Sequence, residues 1–414
     1  MAFSLSLIAL VIFMIISISL SIAYYRKVWN PIFVFEIMLF LGIIFSFREL
    51  DFQLIDNGIF WILLGTFIFI GSFLTCQMLL SRKRKQQIDT FYNWKTIDSM
   101  LTANVFISIA SLAISVYTIL QITANLNDLF TKGTYIRMLY LERETNPVIT
   151  AISLFLSFNF YTTFCLFPLA LREKRKHSGT KLIIVLVLRL LSSLVTMSKE
   201  AFLIDLIVFV SAYSLVLRDE REEKVFFRKY AVPFIILIAA LLIVVSIQRN
   251  YIGQGRYHSY GEAVIGTIRS YVAAPVMAFC QLLGVSNIHF TNGQLCFRPI
   301  LNILSYLGIG SRVSIIQEAI AGSANVYTVF GNMYRDFSYL GILLLSIVFG
   351  AFLGLIYNTN YKYRLSNIVA NSIVMMTMFF GYYDLQIIQT VYLFVMLYAV
   401  LFDRVFKSRI YITE

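Results

Sequence analysis

The chain reads as an all-α polytopic membrane protein with about eleven transmembrane helices. Three observations predict this: 59 % of its 414 residues are hydrophobic, only 14 % are charged, and the mean hydropathy is +0.78. Soluble domains carry about 25 % charged residues, and no soluble fold of this length could hide so much apolar surface. The 37 Phe and 25 Tyr suit helices in lipid, with Tyr amphipathic enough for the interfaces.

A spanning helix needs about 20 mostly apolar residues. That rule places spans near 3–23, 31–47, 57–80, 98–122, 149–171, 182–197, 201–217, 230–247, 339–357, 368–383 and 386–402. The first apolar run lacks a basic flank and a small-residue cleavage site, so it reads as a retained helix rather than a signal peptide.

Lys and Arg set the orientation, because short basic loops resist translocation. With the N-terminus outside and the C-terminus inside, 22 of the 34 Lys and Arg fall in cytoplasmic segments, including the SRKRK and REKRK runs, while 11 fall outside and Arg189 lies within a span. This clustering between apolar runs also argues against nucleic-acid binding as the meaning of the +12 net charge. The chain then divides into a first bundle of eight spans (1–247), an extracytoplasmic loop or cap (248–338), and three last spans with a cytoplasmic tail (339–414). At about 90 residues the loop is far longer than an ordinary connection. Its segment 260–283 reads as amphipathic helix, which suggests a folded cap lying on or dipping into the outer leaflet.

Ionisable residues in lipid are costly and tend to face a cavity or a partner. Glu36, Arg189 and Asp205 are such residues here, and Arg189 and Asp205 lie where neighbouring helices could bring them together. Such a pair is either a structural ion pair or part of a polar pocket open to the outside. Lys199 and Glu200 occupy the tight exterior turn between those spans. Arginine is abundant outside: Arg137 and Arg143 in one loop, and Arg249, Arg256, Arg269, Arg298, Arg312 and Arg335 in the long one. Guanidinium groups suit bidentate phosphate contacts, so as a set they favour a polyanionic ligand such as a lipid-linked pyrophosphate. His258, near Arg256, and Asp336, beside Arg335, are candidate general bases, and Asp384 is a further exterior carboxylate.

Cys76, Cys165, Cys280 and Cys296 lack metal-ligand spacing, so no metal site is expected, and no cofactor. Cys280 and Cys296 share the exterior loop and could pair in an oxidising compartment. The absence of P-loop, GxSxG and HExxH motifs and of a membrane-surface DxD pair argues against ATP-driven transport, serine hydrolysis and carboxylate-bound metal.

The stretch NVYTVFGNMYRDFSYLGILLLSIVFGAFLGLIY (325–357) resembles the oligosaccharide repeat unit polymerases, the Wzy group of O-antigen and capsular polysaccharide polymerases. The residues that carry the resemblance are Asn325, Val326, Tyr327, Thr328, Tyr334, Asp336, Phe337 and Gly341, with Ser338 in place of the usual glycine. Upstream, Tyr271, Pro275 and Phe279 resemble the family's aromatic-and-proline segment, and Gly293, Phe297 and Pro299 the element after it. At Lys199 such proteins usually carry arginine; lysine keeps the charge but loses the bidentate fork.

The resemblance implies a GT-C-like, metal-independent membrane glycosyltransferase in the bacterial inner membrane, with its active site facing the periplasm. Its donor and acceptor would both be undecaprenyl-pyrophosphate-linked oligosaccharides, in contact with membrane lipid, and a chain-length regulator and a flippase would be its partners. Arg189 joins Asp336 and His258 as a candidate catalytic residue. Arg256, Arg269, Arg335, Lys199, Tyr327 and Asp205 are the candidate substrate contacts. The competing readings are a ligase that transfers glycan to lipid A, which also has a long arginine-rich loop, and a repeat-unit flippase. A flippase would be expected to show two related halves and short loops.

Overall fold

The computed structural model describes residues 5–46, 52–81, 87–123, 147–196, 198–217, 232–247, 271–313, 326–357 and 363–413, with short pieces between 222 and 266. The described residues are helical almost throughout. In chain order the helices are α1 (Leu5–Tyr25), α2 (Pro31–Ser46), α3 (Phe52–Ser81), α4 (Trp94–Ile122), α5 (Pro147–Arg172), α6 (Lys176–Val195), α7 (Lys199–Val216) and α8 (Val232–Ile247). After them come α9 (Ala274–Leu282), α10 (Arg298–Tyr306), α11 (Val329–Ile356), α12 (Leu365–Phe380) and α13 (Thr390–Phe406). A two-stranded antiparallel ribbon joins β1 (Gln87–Tyr92) to β2 (Lys407–Thr413).

A helix stands at each of the eleven stretches expected to span. Among the described residues, five are long and apolar enough to cross a membrane: α1, α4, α6, α11 and, within α3, Ile55–Leu80. Large side chains such as Ile15, Phe67, Phe106 and Leu344 lie exposed on these helices, as lipid-facing surfaces require. This is a membrane protein.

The chain forms two compact units that interleave the linear segments. The first comprises Met1–Lys85, Ile268–Asn358 and Ile373–Leu393. Its centre is the pairing of α3 with α11. Lipid tails are as apolar as leucine, so such helices gain most from close van der Waals contact, which small residues permit. Gly350 and Gly354 supply it: a Cβ at either would stand 2.3 or 2.6 Å from the carbonyl oxygens of Phe69 and Phe73. The Gln77 amide closes the seam by donating to the carbonyls of Gly354 and Tyr357. The short helix α9 packs on α2 and α3, and a Cβ at Gly58 would meet the Cys280 sulfur at 2.2 Å. Loop residues expected to form an outer cap are therefore part of the same body as the first three helices.

The second unit comprises Gln86–Thr267, Thr359–Ser372 and Phe394–Glu414. In it α4 packs along α6, where Lys181 donates to Asp98 at 2.7 Å. Ile119, Leu190, Phe202, Ile238 and Val245 form a buried cluster joining α4, α6, α7 and α8. Buried Asp403 ties the ribbon to α12: one oxygen accepts from the Tyr92 hydroxyl at 2.6 Å, and the other accepts from the Ser366 amide and Arg364 Nε at 2.9 and 3.1 Å. The Tyr92 hydroxyl accepts in turn from the Leu365 amide, so two donors of the first turn of α12 are satisfied.

Replacing Gly350 or Gly354 by leucine should force the α3–α11 seam apart and cost about 1–3 kcal/mol, the usual effect of overpacking. Thermal unfolding in detergent measures it. The control is Phe352→Leu, on the more exposed side of the same turn, which should melt with the wild type; equal melting of all three would refute the seam.

Candidate active site

The first unit carries a concentration of polar side chains where α11 breaks. Phe337 (φ −142°, ψ 28°) and Ser338 (φ 58°, ψ −153°) leave helical geometry and divide α11 into a short segment, Val329–Asp336, and the long apolar one that follows. A break frees backbone groups that must find other partners. The turn 291–296 provides them. The Thr291 amide donates to the Arg335 carbonyl at 2.9 Å. The Asp336 carboxylate, fully buried, accepts from the Leu295 amide at 3.1 Å, the Cys296 amide at 2.8 Å and the Thr291 hydroxyl. Positive φ at Asn292 and Gly293 bends this turn onto the broken end. At Gly341 a Cβ would stand 2.1 Å from the Met333 carbonyl oxygen, so the two segments of α11 cross at backbone distance.

The short segment presents Asn332, Arg335 and Asp336 at helical spacing, all buried. The Arg335 guanidinium lies 5.4 Å from the centre of the Tyr327 ring, a cation–π arrangement with a ring that is itself buried. The turn after α12 comes alongside because the Val329 amide donates to the Gly381 carbonyl at 2.8 Å. Asp384 is carried by that turn. Its Oδ1 accepts from the Asn332 amide and from the Leu385 backbone N–H at 2.7 Å.

Burial pushes the Asp384 carboxyl above the usual carboxylate range, against its hydrogen bonds and the charges of Arg298 and Arg335. Arg298, the first residue of α10, is 9 % exposed, and its side chain makes no hydrogen bond among the described residues. Burial lowers its pKa, with Asp384 as the opposing charge. The Tyr271 and Tyr383 rings stack beside the turn, 6.2 Å apart and nearly parallel.

Of the residues the sequence singled out, Arg335, Asp336 and Tyr327 are thus together. Arg189 and Asp205 also meet, in the second unit: Arg189 Nε donates to Asp205 Oδ2 at 3.3 Å and its guanidinium lies 4.9 Å from the Phe160 ring. The Asp205 side chain is 1 % exposed. That geometry is an ion pair between α6 and α7, the structural alternative the sequence left open. Phe160 also lines a cavity of about 220 Å³ among α5, α6 and α7, walled by Phe164, Phe167, Leu186 and Phe209. Glu36 is buried in the first unit and accepts from the Ser17 hydroxyl.

Lys199 opens α7. His258, Arg256 and Arg269 lie outside the described residues. Cys280 and Cys296 are both buried free thiols, so the exterior disulfide is not formed. Burial pushes the Cys296 thiol well up, and Asp336 adds to it. Among the described residues no three His, Cys, Asp or Glu side chains converge as a metal-ligand set. Sequence reasoning passed over Asn332 and Thr291. Asn332 was accessible to it, one helical turn before Arg335 and Asp336; Thr291 carried no signal.

Ser338 occupies a backbone region that glycine enters without steric cost and other residues enter at about 1–3 kcal/mol. Glycine's added chain entropy costs only about 0.5–1 kcal/mol, so Ser338→Gly should stabilise the protein by about 1 kcal/mol. Ser338→Val should destabilise it. Paired thermal melts check both signs.

Compared with known proteins, the chain matches no protein-family model, no curated protein and no solved structure.

Proposed function

We propose that this protein is a multi-pass glycosyltransferase of the bacterial inner membrane, with eleven spans, that joins undecaprenyl-pyrophosphate-linked oligosaccharide units into a polysaccharide on the extracytoplasmic face. The observation that carries the reading is the polar cluster at the break in α11. It sets two buried arginines, Arg298 and Arg335, against a partly exposed carboxylate, Asp384. Transfer of a glycan from a lipid pyrophosphate needs cations for the leaving group and a base for the incoming hydroxyl. This cluster holds both kinds of group within one compact unit.

The membrane orientation draws support from the ribbon. Its strands come from the segment after α3 and the segment after α13, two stretches placed in the cytoplasm by their lysines and arginines, and hydrogen-bonded strands share one side of the membrane. With those ends inside, the turn carrying Asp384, between α12 and α13, faces outward. The resemblance around Tyr327, Tyr334 and Asp336 adds the substrate class.

Purified protein in nanodiscs, given only the lipid-linked single repeat unit, should build a ladder of longer glycans. Arg298→Ala and Arg335→Ala should each slow ladder formation by roughly 100-fold, the usual effect of removing one preorganised cationic or hydrogen-bonding group. Arg298→Lys should retain part of the rate, since it keeps the charge. Gel analysis of the products decides it; a wild-type protein that leaves the single unit unchanged removes the polymerase reading.

A further inference from the structure

This inference rests on the polymerase reading and assigns its proton acceptor. The motif carries a carboxylate at Asp336, yet that group is fully buried and both its oxygens are engaged by the turn 291–296. A carboxylate holding two backbone amides and a hydroxyl is a positioning group for that turn, and a substrate hydroxyl would have to displace them. Asp384 stands differently. Asn332 and the Leu385 amide hold Oδ1 alone, and Oδ2 takes no hydrogen bond among the described residues. The residue is partly exposed, unlike Asp336.

We propose that Asp384 Oδ2 is the base that deprotonates the acceptor hydroxyl, with Asn332 fixing the carboxylate's orientation and Asp336 serving only to hold the neighbouring turn. The acceptor oxygen then forms its bond to the anomeric carbon of the donor glycan. The bond from that carbon to the pyrophosphate oxygen breaks, and the lipid pyrophosphate leaves with the electron pair. Asp384 keeps the proton until solvent removes it. Among the described residues, the charged and titratable groups facing Asp384 are Arg298 from α10, Arg335 from α11 and Cys296 from the turn 291–296. The raised affinity of its carboxyl for a proton suits a base.

The test compares wild type, Asp384→Asn and Asp384→Glu in nanodiscs, following polymerisation of the lipid-linked repeat unit, its binding, and the pH profile. Asp384→Asn should lose roughly 100-fold or more in rate, as expected for removing a general base, while binding the repeat unit within about threefold of wild type. Asp384→Glu should recover part of the rate with its acid limb displaced. A folded Asp384→Asn protein that polymerises within about threefold of wild type overturns the assignment. If neither variant folds, the wild-type profile decides: a rate that falls on acidification through a single protonation above the ordinary carboxylate range supports it, and a flat profile there overturns it. A wild type that binds the unit but makes no polymer overturns the polymerase reading and this assignment together.

Discussion

A helix interrupted inside a membrane protein exposes amide and carbonyl groups that lipid cannot satisfy, each at a cost of several kcal/mol. The break at Phe337 and Ser338 exists because the turn 291–296 meets it with the Thr291 amide, while the Asp336 carboxylate takes the turn's own amides in return. Two irregular segments, either of them poorly satisfied alone, complete each other. Everything polar in the candidate site follows from that exchange. Only because the first segment of α11 diverges from the long one can Asn332 reach the turn after α12.

The break also needs something that does not move. The long segment of α11 is clamped on α3 through Gly350 and Gly354, at distances that leave no room for a side chain. The same helix is therefore fastened by backbone contact at one end and bent by a carboxylate at the other. A site built this way rests on turns that are pinned to helices by backbone hydrogen bonds, which suits chemistry that demands groups placed to a fraction of an ångström.

That a helix stands at each of the eleven apolar stretches was legible because apolar length is a strong signal, and five of these helices, among the described residues, have the length and composition to span. The Arg189–Asp205 pair was legible too, since a short turn between neighbouring helices leaves few other partners. The candidate site was only half legible. Arg335 and Asp336 stood out as charges beside an apolar run, but their different roles depend on which backbone amides surround each, and no local pattern encodes that. Asp384 meets Asn332 across 52 residues of sequence, and nothing in the turn 381–385 announces the encounter. Cys280 and Cys296 read as potential partners because they share a loop; packing decided otherwise, by burying Cys280 against Gly58 on α3 and Cys296 beside Asp336. Ser338 read as a mild departure from a family glycine, whereas its backbone sits where a glycine is worth most.

The ribbon between β1 and β2 bears on how the chain is made. Its strands lie about 320 residues apart in sequence, a long-range pairing of the kind that forms late. During synthesis β1 leaves the ribosome early and waits, its edge uncovered, while the helices α4 to α13 are made. The Tyr92 hydroxyl waits as well, because Asp403 and α12 arrive near the end. Closing the second unit is thus tied to the arrival of its last helix, so a ribosome that stalls before α13 releases a protein whose first strand has no partner, an open edge of the kind that invites misassociation.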